Sequence, residues 1–160
     1  MFDEVFGEVT YDYDGYIAVK EIEMFAESCE IEVHINCDEG EEISQGQREV
    51  FEELMNSPQD MQHRIAAAIL KYYNEVEKGA YGPDDPEEFA RWWPDIDSEE
   101  ELAGRIHLDT IYIWSDYNGK NPLYVLFDRD WGGEDTEDNG VAVGIEDGEV
   151  TEVGYKDIAL

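Results

Sequence analysis

Positively charged residues are scarce in this sequence. Lysine and arginine together number 10, against 42 aspartate and glutamate residues in a chain of 160, so the formal net charge is -32. The acidic residues are spread over both halves of the chain and are not collected in a tail. A surface of this kind repels the phosphates of nucleic acids and of anionic membranes, and it attracts cationic surfaces. The composition therefore argues against a nucleic-acid or membrane partner and favours a basic protein partner.

Cysteines and long apolar runs are also scarce. Cys29 and Cys37 fit no metal-binding spacing, so both are expected to be free, buried thiols in a reducing compartment. No stretch approaches the ~18 apolar residues of a membrane-spanning helix. No basic segment followed by an apolar run indicates a signal peptide. The expected location is the cytoplasm.

Enzyme motifs are missing from the sequence as well. It contains no phosphate-binding G-x-x-x-x-G-K-[ST] segment, no G-x-S-x-G and no HExxH. His34, His63 and His107 stand apart, and with 42 acidic residues some neighbouring carboxylates are expected by chance. We therefore predict no catalytic residue, no cofactor and no enzymatic activity.

Alternating apolar residues predict strands at both ends of the chain. Residues 5–13, 16–24 and 28–36 alternate in the N-terminal part, and Asp14-Gly15 is a dipeptide suited to a two-residue hairpin turn. The last third contains four more stretches of strand character, and Asp147-Gly148 supplies another tight turn. These stretches are "LDTIYIW", "LYVLFD", "VAVGIE" and "EVTEVGY".

Two amphipathic helices are predicted between the strand regions. Ser44 and Gln47 have the spacing of a capping box, and an apolar stripe follows them. Ser57-Pro58 has the residues favoured at the N-cap and first position of a second helix, and Gly79 suits its end. Ser98 and Glu101 form another capping box, next to a short helix. The stripe of the second helix comprises Met61, Ile65, Ala68, Ile69, Tyr72 and Val76.

These elements predict one α+β domain over residues 1–160. Its antiparallel sheet or sheets would combine an N-terminal hairpin, extended to three strands, with a C-terminal meander. The two main helices would pack between or against them. Apolar residues make up 42% of the chain, which is enough for a folded core despite the charge.

The segment Asp128–Gly140, "DRDWGGEDTEDNG", is either a metal loop or an acidic connection between strands. Counted from Asp128, it has acids at positions 1 and 3 and Gly133 at position 6 of a calcium loop. Positions 5, 8 and 12 are Gly132, Asp135 and Asn139, which do not fit. A second near match, over residues 10–21, begins with threonine where aspartate belongs. We therefore predict no metal site, and we expect the double glycine to permit a sharp or bulged turn.

Several motifs together resemble a group of small bacterial domains of unknown function. In that group a strand ending in Trp leads to an acidic E-H-G-x-G-V turn and then to G-x-V-x-x-V-G. Here Asp138-Asn139 replaces the Glu-His and Ala142 replaces the second Gly, so any chemistry of that histidine is lost. The matching residues are Trp131, Gly140, Val143, Gly148, Val150, Val153 and Gly154.

The resemblance implies a role as an immunity protein, because members of that group often accompany bacterial polymorphic toxins. The leading hypothesis is a non-enzymatic protein that masks a cationic toxin. The alternatives are an acidic accessory or nucleic-acid-mimicking regulator outside toxin systems, and a hydrolase that uses carboxylates or a divalent cation.

Partner binding would combine acids for steering with an aromatic anchor. The tryptophans have two possible roles. They could pack over the core, or they could remain exposed and anchor a partner. The predicted partner-binding residues are Trp92, Trp93, Trp131, Glu134, Asp135, Glu137 and Asp138.

Overall fold

Within the part of the chain that the structure describes, eight strands form one sheet, which is the frame of the protein. The computed structural model describes residues 1–56, 58–133 and 140–160. The strands lie side by side in chain order. They are β1 (Phe2–Asp3), β2 (Gly7–Asp12), β3 (Gly15–Met24), β4 (Glu27–Asn36), β5 (Ile106–Ile113), β6 (Leu123–Arg129), β7 (Val141–Glu146) and β8 (Glu149–Tyr155).

The pairing of β4 with β5 joins the two strand regions into this one sheet. All other neighbouring strands are antiparallel, but β4 and β5 are parallel, with Val33 opposite Ile111. A parallel pair needs a long crossover connection, and here the helical segment between residues 36 and 106 provides it. The expected mixture of helices and antiparallel strands is confirmed. The sequence left open whether the strands form one sheet or two, and the structure has one mostly antiparallel sheet.

The helices lie between β4 and β5 in the chain, and the predicted capping residues Ser44 and Ser98 stand directly before the first and the last of them. The backbone N–H of Gln47 donates to Ser44 Oγ and that of Ser44 to Gln47 Oε1, each at 3.1 Å, so this capping box is confirmed. Ser57, the expected N-cap of the second helix, lies outside the described residues. No helix among the described residues is long and apolar enough to cross a membrane. The helices are α1 (Gln45–Asn56), α2 (Pro58–Tyr72), α3 (Pro86–Trp92) and α4 (Glu99–Ala103).

A π-helical turn, Tyr73–Glu77, continues α2 and changes which residues face the core. The predicted stripe is confirmed through Met61, Ile65 and Ile69, which are buried, but its last member, Val76, is 64% exposed. A π turn adds one residue to the helical repeat, so the inward face shifts after Ile69. Tyr73 and Glu77 are buried as a result.

The first hairpin turns one residue earlier than predicted. Asp12 pairs with Gly15, and Tyr13 carries the positive φ of 53°. Gly15 is instead the first residue of β3, where a Cβ atom would lie 2.1 Å from the carbonyl oxygen of Ile35. The glycine is therefore needed for close strand packing and not for the turn. The predicted turn at Asp147-Gly148 is confirmed, with both residues at positive φ.

The core lies between one face of the sheet and the helices. Ile65 and Ile69 of α2 pack in the same cluster as Ile111, Ile113 and Val125 of the central strands, and all five are fully buried. The two cysteines are free and belong to this side; Cys37 is buried as expected, whereas Cys29 is only partly buried. Burial raises the pKa of both thiols, which keeps them protonated and unreactive.

Candidate functional site

The segment Asp128–Gly133 contributes Arg129 to a buried ion pair. Arg129 is the last residue of β6, and Glu77 is the last residue of the π turn. The Nη1 atom of Arg129 donates a hydrogen bond to Glu77 Oε1, and both side chains are inaccessible to solvent. The shift produced by the π turn is what brings the Glu77 carboxylate to this position. The ion pair thus depends on a local feature of the helix and on the end of a distant strand.

Aromatic groups complete the surroundings of the Glu77–Arg129 pair. Trp131 Nε1 donates to Glu77 Oε1 at 2.9 Å, and Arg129 Nη2 donates to the Tyr81 hydroxyl at 3.0 Å. The guanidinium also lies 5.2 Å from the ring centroid of Tyr155 and 5.7 Å from that of Trp131. Both distances are within the range of cation–π contacts. These groups hold the end of β6 against the helical layer.

Burial raises the pKa of Glu77, and the opposing effects of Arg129 and Trp131 offset this only in part. Glu77 Oε2 and Arg129 Nε are buried without a hydrogen-bond partner among the described residues. A buried pair that is not fully hydrogen-bonded contributes little net stability, but removal of one partner leaves an uncompensated charge. The pair therefore specifies how the Asp128–Gly133 segment is placed.

Two of the three candidate tryptophans form part of the core. Trp131 is 1% exposed and Trp93 is 5% exposed. The indole N–H of Trp93 donates to the carbonyl of Tyr81 at 2.7 Å, and Trp131 packs edge-on against Tyr73 at 5.1 Å. Both tryptophans therefore pack over the core, which is the first of the two predicted roles. Neither presents its ring to a partner, which corrects their assignment as surface anchors.

Trp92 is the tryptophan of this group that a partner could touch. It is half-buried, at the end of α3, and it helps to line an open depression of about 280 Å³ with Glu88, Arg91, Asp130 and Gly133. Its carbonyl accepts a hydrogen bond from the N–H of Gly132 at 2.8 Å. The depression combines an aromatic ring with charged groups of both signs.

The double glycine allows the chain to pass close to these side chains. Gly132 and Gly133 have φ values of +81° and +108°, which favour glycine. A Cβ atom on Gly132 would lie 2.8 Å from the Tyr81 hydroxyl oxygen, and one on Gly133 would lie 2.9 Å from the Trp92 ring. Both glycines therefore have the backbone conformation that a sharp or bulged turn requires, and tight packing adds a second reason for glycine at both positions.

The first acids of the segment form ion pairs with basic side chains. Asp128 lies 2.5 Å from Lys156 Nζ, and Asp130 lies 3.2 Å from Arg105 Nη1. The predicted binding residues Glu134, Asp135, Glu137 and Asp138 lie outside the described residues. Within residues 1–56, 58–133 and 140–160, no group of three or more His, Cys, Asp or Glu side chains is arranged to hold a metal ion.

Each histidine has a carboxylate neighbour that the sequence did not reveal. His34 Nε2 lies 3.0 Å from Glu32, His63 Nδ1 lies 3.0 Å from Glu99, and His107 Nδ1 lies 2.9 Å from Glu27. The last two partners are distant in sequence, so spacing could not predict them. The His63 pair joins α2 to α4, whereas the other two pairs both include residues of β4, and among the described residues the three pairs form no common metal-binding cluster.

A family model for a domain of unknown function, DUF6985, matches residues 5–160. The chain belongs to the DUF6985 family. The expected relationship to a family of unknown function is thereby confirmed, whereas the link to toxin immunity is not part of the match and stays a proposal. No curated protein and no solved structure matches the chain significantly.

The residues that carried the resemblance have structural roles in this DUF6985 chain. Trp131 and Val143 are core residues. A Cβ atom on Gly140 would lie 2.2 Å from the Phe127 carbonyl oxygen, and one on Gly154 would lie 2.9 Å from Ile158. These positions explain a shared fold, and they supply no reactive group.

Proposed function

We propose that this protein is a non-enzymatic binding protein whose partner is a basic protein. The observation that carries the proposal is the excess of acidic residues, which gives a net charge of -32. Seven of the ten lysine and arginine side chains form ion pairs within the described residues. The basic groups are therefore largely engaged with local acids, and a large surplus of carboxylates is left to face a partner.

The binding surface in this proposal includes the Glu134–Asp138 loop, with Trp92 as the aromatic group beside it. A Cβ atom on Gly133, the residue that precedes this loop in the chain, would lie 2.9 Å from the Trp92 ring, and for this reason we assign Trp92 to the surface. Complementary charge accelerates association and excludes wrong partners, whereas buried aromatic contacts slow dissociation. We therefore expect the acids of the loop to affect the association rate and the ring of Trp92 to affect the dissociation rate.

The specific form of this function implied by the resemblance is immunity against a cationic toxin domain. Nuclease and nucleic-acid-modifying toxins need cationic clefts to hold phosphates, and an acidic protein could mask such a cleft. Coexpression of the chain with a toxin encoded beside its gene should restore growth. Unchanged killing by that toxin would contradict the immunity form but not the broader proposal of a basic partner.

Affinity capture followed by surface plasmon resonance would test the broader proposal. We expect the captured protein to be basic and its association rate to fall with increasing salt, because the Debye length shortens from about 10 Å at 0.1 M to 3 Å at 1 M. A partner whose association rate is independent of salt would contradict the proposal.

Two variants that each remove four acidic charges would locate the surface. The first replaces Glu134, Asp135, Glu137 and Asp138 by Gln or Asn, and the matched control does the same for the exposed acids Asp38, Glu39, Glu41 and Glu42. We expect the first variant to slow association and to flatten its salt dependence more than the control does. Equal effects would mean that total charge matters and that the loop is not the contact.

A further inference from the structure

A continuous cross-strand row lies on the sheet face opposite the helices. The register of six strand pairs places one residue from each of seven strands in this row. Their neighbours along each strand, such as Val33, Ile35, Ile111 and Ile113, point into the helix-covered core. The row consists of Thr10, Ile17, His34, Tyr112, Tyr124, Gly144 and Glu152.

The middle of the row is aromatic. The rings of His34 and Tyr112 are stacked, with centroids 4.8 Å apart and planes inclined by 11°. Trp114 extends the group, with its ring 5.9 Å from that of Tyr112. These side chains and Tyr124 are partly exposed. We refer to His34, Tyr112, Trp114 and Tyr124 as the aromatic strip.

Carboxylates lie at both ends of the aromatic strip. Glu32 Oε2 is 3.0 Å from His34 Nε2, and the Tyr124 hydroxyl donates to Glu152 Oε2 at 3.4 Å. Burial raises the pKa of Tyr112, and the negative charges of Asp14 and Glu32 raise it further. Neither the row itself nor the adjacent row through Val19, Glu32, Thr110, Leu126 and Ala142 contains lysine or arginine.

The sheet face is covered at one end and open at the other. The 3-10 turn Lys156–Ala159 packs on Leu126 and Ala142, and Trp114 Nε1 donates to the carbonyl of Ala159 at 2.8 Å. Toward β3 the face is exposed, because Val19 is 59% accessible and the side chain of Glu32 is 57% accessible. A partner could therefore reach His34 and Tyr112 from this side.

We propose that the aromatic strip is a docking surface for an arginine-rich segment of a protein partner. A guanidinium group stacks on aromatic rings and binds carboxylates bidentately, so it is complementary to rings that carry carboxylates at their ends. Lysine has the charge but not the planar group, and a neutral peptide has neither. This inference rests on the proposed binding of a basic protein. It adds a second contact surface, on the sheet, to the one assigned to the Glu134–Asp138 loop and Trp92, and it adds arginine as the residue type recognised there.

An octa-arginine peptide provides a direct probe of the aromatic strip. It would be titrated into the full-length, 15N-labelled chain at physiological ionic strength. We expect saturable changes in amide chemical shift concentrated at His34, Tyr112 and their neighbours on β3, β4 and β5. We also expect octa-lysine to bind more weakly. Because this map needs no variant, it tests the surface even if a substitution prevents folding.

Variants of equal net charge would measure the contribution of the rings. Tyr112→Thr removes the ring and keeps a residue suited to a strand, and it should weaken octa-arginine binding by about five- to tenfold, as expected for loss of an aromatic contact. Tyr112→Phe should remain within about twofold of the wild type. Phe2→Thr is the control, because Phe2 is an aromatic residue that is 75% exposed on β1, and it should leave binding unchanged.

The outcomes distinguish the aromatic strip from the broader proposal. Saturable binding with shifts elsewhere, or equal binding by the wild type and Tyr112→Thr, would overturn the docking surface and leave a basic partner in place. Equal affinity for octa-arginine and octa-lysine would overturn the arginine preference. A lack of saturable binding by either peptide would overturn the docking surface, whereas the proposed function has its own test in affinity capture and in the salt dependence of association.

Discussion

Asp3 and Glu77 are both buried carboxylates, but their surroundings shift their pKa values in opposite directions. Burial alone would raise the pKa of Asp3, but hydrogen bonds from Arg48 and from the backbone of Phe6 and Val5 outweigh it and hold the pKa below its usual value. At Glu77 burial dominates over the effect of Arg129. Desolvation prevails at Glu77, whereas the larger number of hydrogen bonds to the carboxylate prevails at Asp3.

Asp3→Asn should destabilise the protein at neutral pH. Arg48 lies 2.8 Å from Asp3 Oδ2 and would lose a charged acceptor, so we expect the free energy of unfolding to fall by about 1–3 kcal/mol. Urea denaturation at pH 7 would measure this. Glu4→Gln is the control, because that carboxylate is 75% exposed and 3.9 Å from Arg48, and it should change stability far less.

The effect of Asp3→Asn should depend on pH. The folded-state pKa of Asp3 lies below the usual value for an aspartate, so its stabilising contribution is complete above that usual pKa. It is lost as the pH falls through the folded-state pKa. The difference in unfolding free energy between wild type and variant should therefore shrink in acid. A difference that stays constant down to the lowest pH at which both proteins fold would contradict this assignment.

The Glu77–Arg129 pair should behave as a coupled unit. Arg129→Met leaves Glu77 buried without its ion-pair partner, which should cost about 3–5 kcal/mol. Glu77→Gln removes the charge and keeps an acceptor for Trp131. We expect the double variant to be more stable than the sum of the two single effects predicts, by about 0.5–3 kcal/mol. Chemical denaturation of all four proteins measures the coupling, and strictly additive effects would show that the two charges do not interact.

At the level of elements, the π turn after α2 decides which apolar residues are in the core. Ile65 and Ile69 are fully buried, whereas Val76 is 64% exposed. A regular helix would have kept all three on one stripe. The backbone N–H of Lys78 donates to the carbonyl of Tyr73 at 2.8 Å. This hydrogen bond from residue i to residue i−5 is typical of a π turn, and the turn rotates the inward-facing stripe of the helix.

Alanine substitutions along this stripe should therefore differ sharply in their cost. Ile65→Ala and Ile69→Ala should each lower the free energy of unfolding by about 2–5 kcal/mol, because they leave cavities in the core. Val76→Ala should change it by less than about 0.5 kcal/mol. Thermal or urea unfolding measures all three. A large loss of stability for Val76→Ala would indicate a regular helix through this position.

At the scale of the whole molecule, the excess of negative charge opposes the compact state. The net charge of -32 repels itself within one small domain. Sodium chloride screens this repulsion over a Debye length of about 8–10 Å at moderate ionic strength. The melting temperature should therefore rise between low and physiological salt. Differential scanning calorimetry would measure it, and a flat or falling trend would mean that the carboxylates are already neutralised by their partners.

The sequence by itself determined the features that depend on neighbours along the chain. The alternation in β4 placed Ile31, Val33 and Ile35 on the buried face, because successive side chains of a strand point to opposite sides. Ser44 and Gln47 marked the start of α1 because their hydrogen bonds span three residues. The net charge needs no structure at all, since it is a sum over residues.

Only the tertiary structure decided the features that depend on contacts between distant parts of the chain. The pairing of β4 with β5, the burial of Trp93 and Trp131, and the contact between Glu77 and Arg129 each join residues that are far apart in sequence. The role of Gly15 likewise follows from the nearby carbonyl of Ile35 on another strand. Local patterns fix which side of an element is apolar. Which groups meet there is decided by packing, because it depends on the relative positions of whole elements.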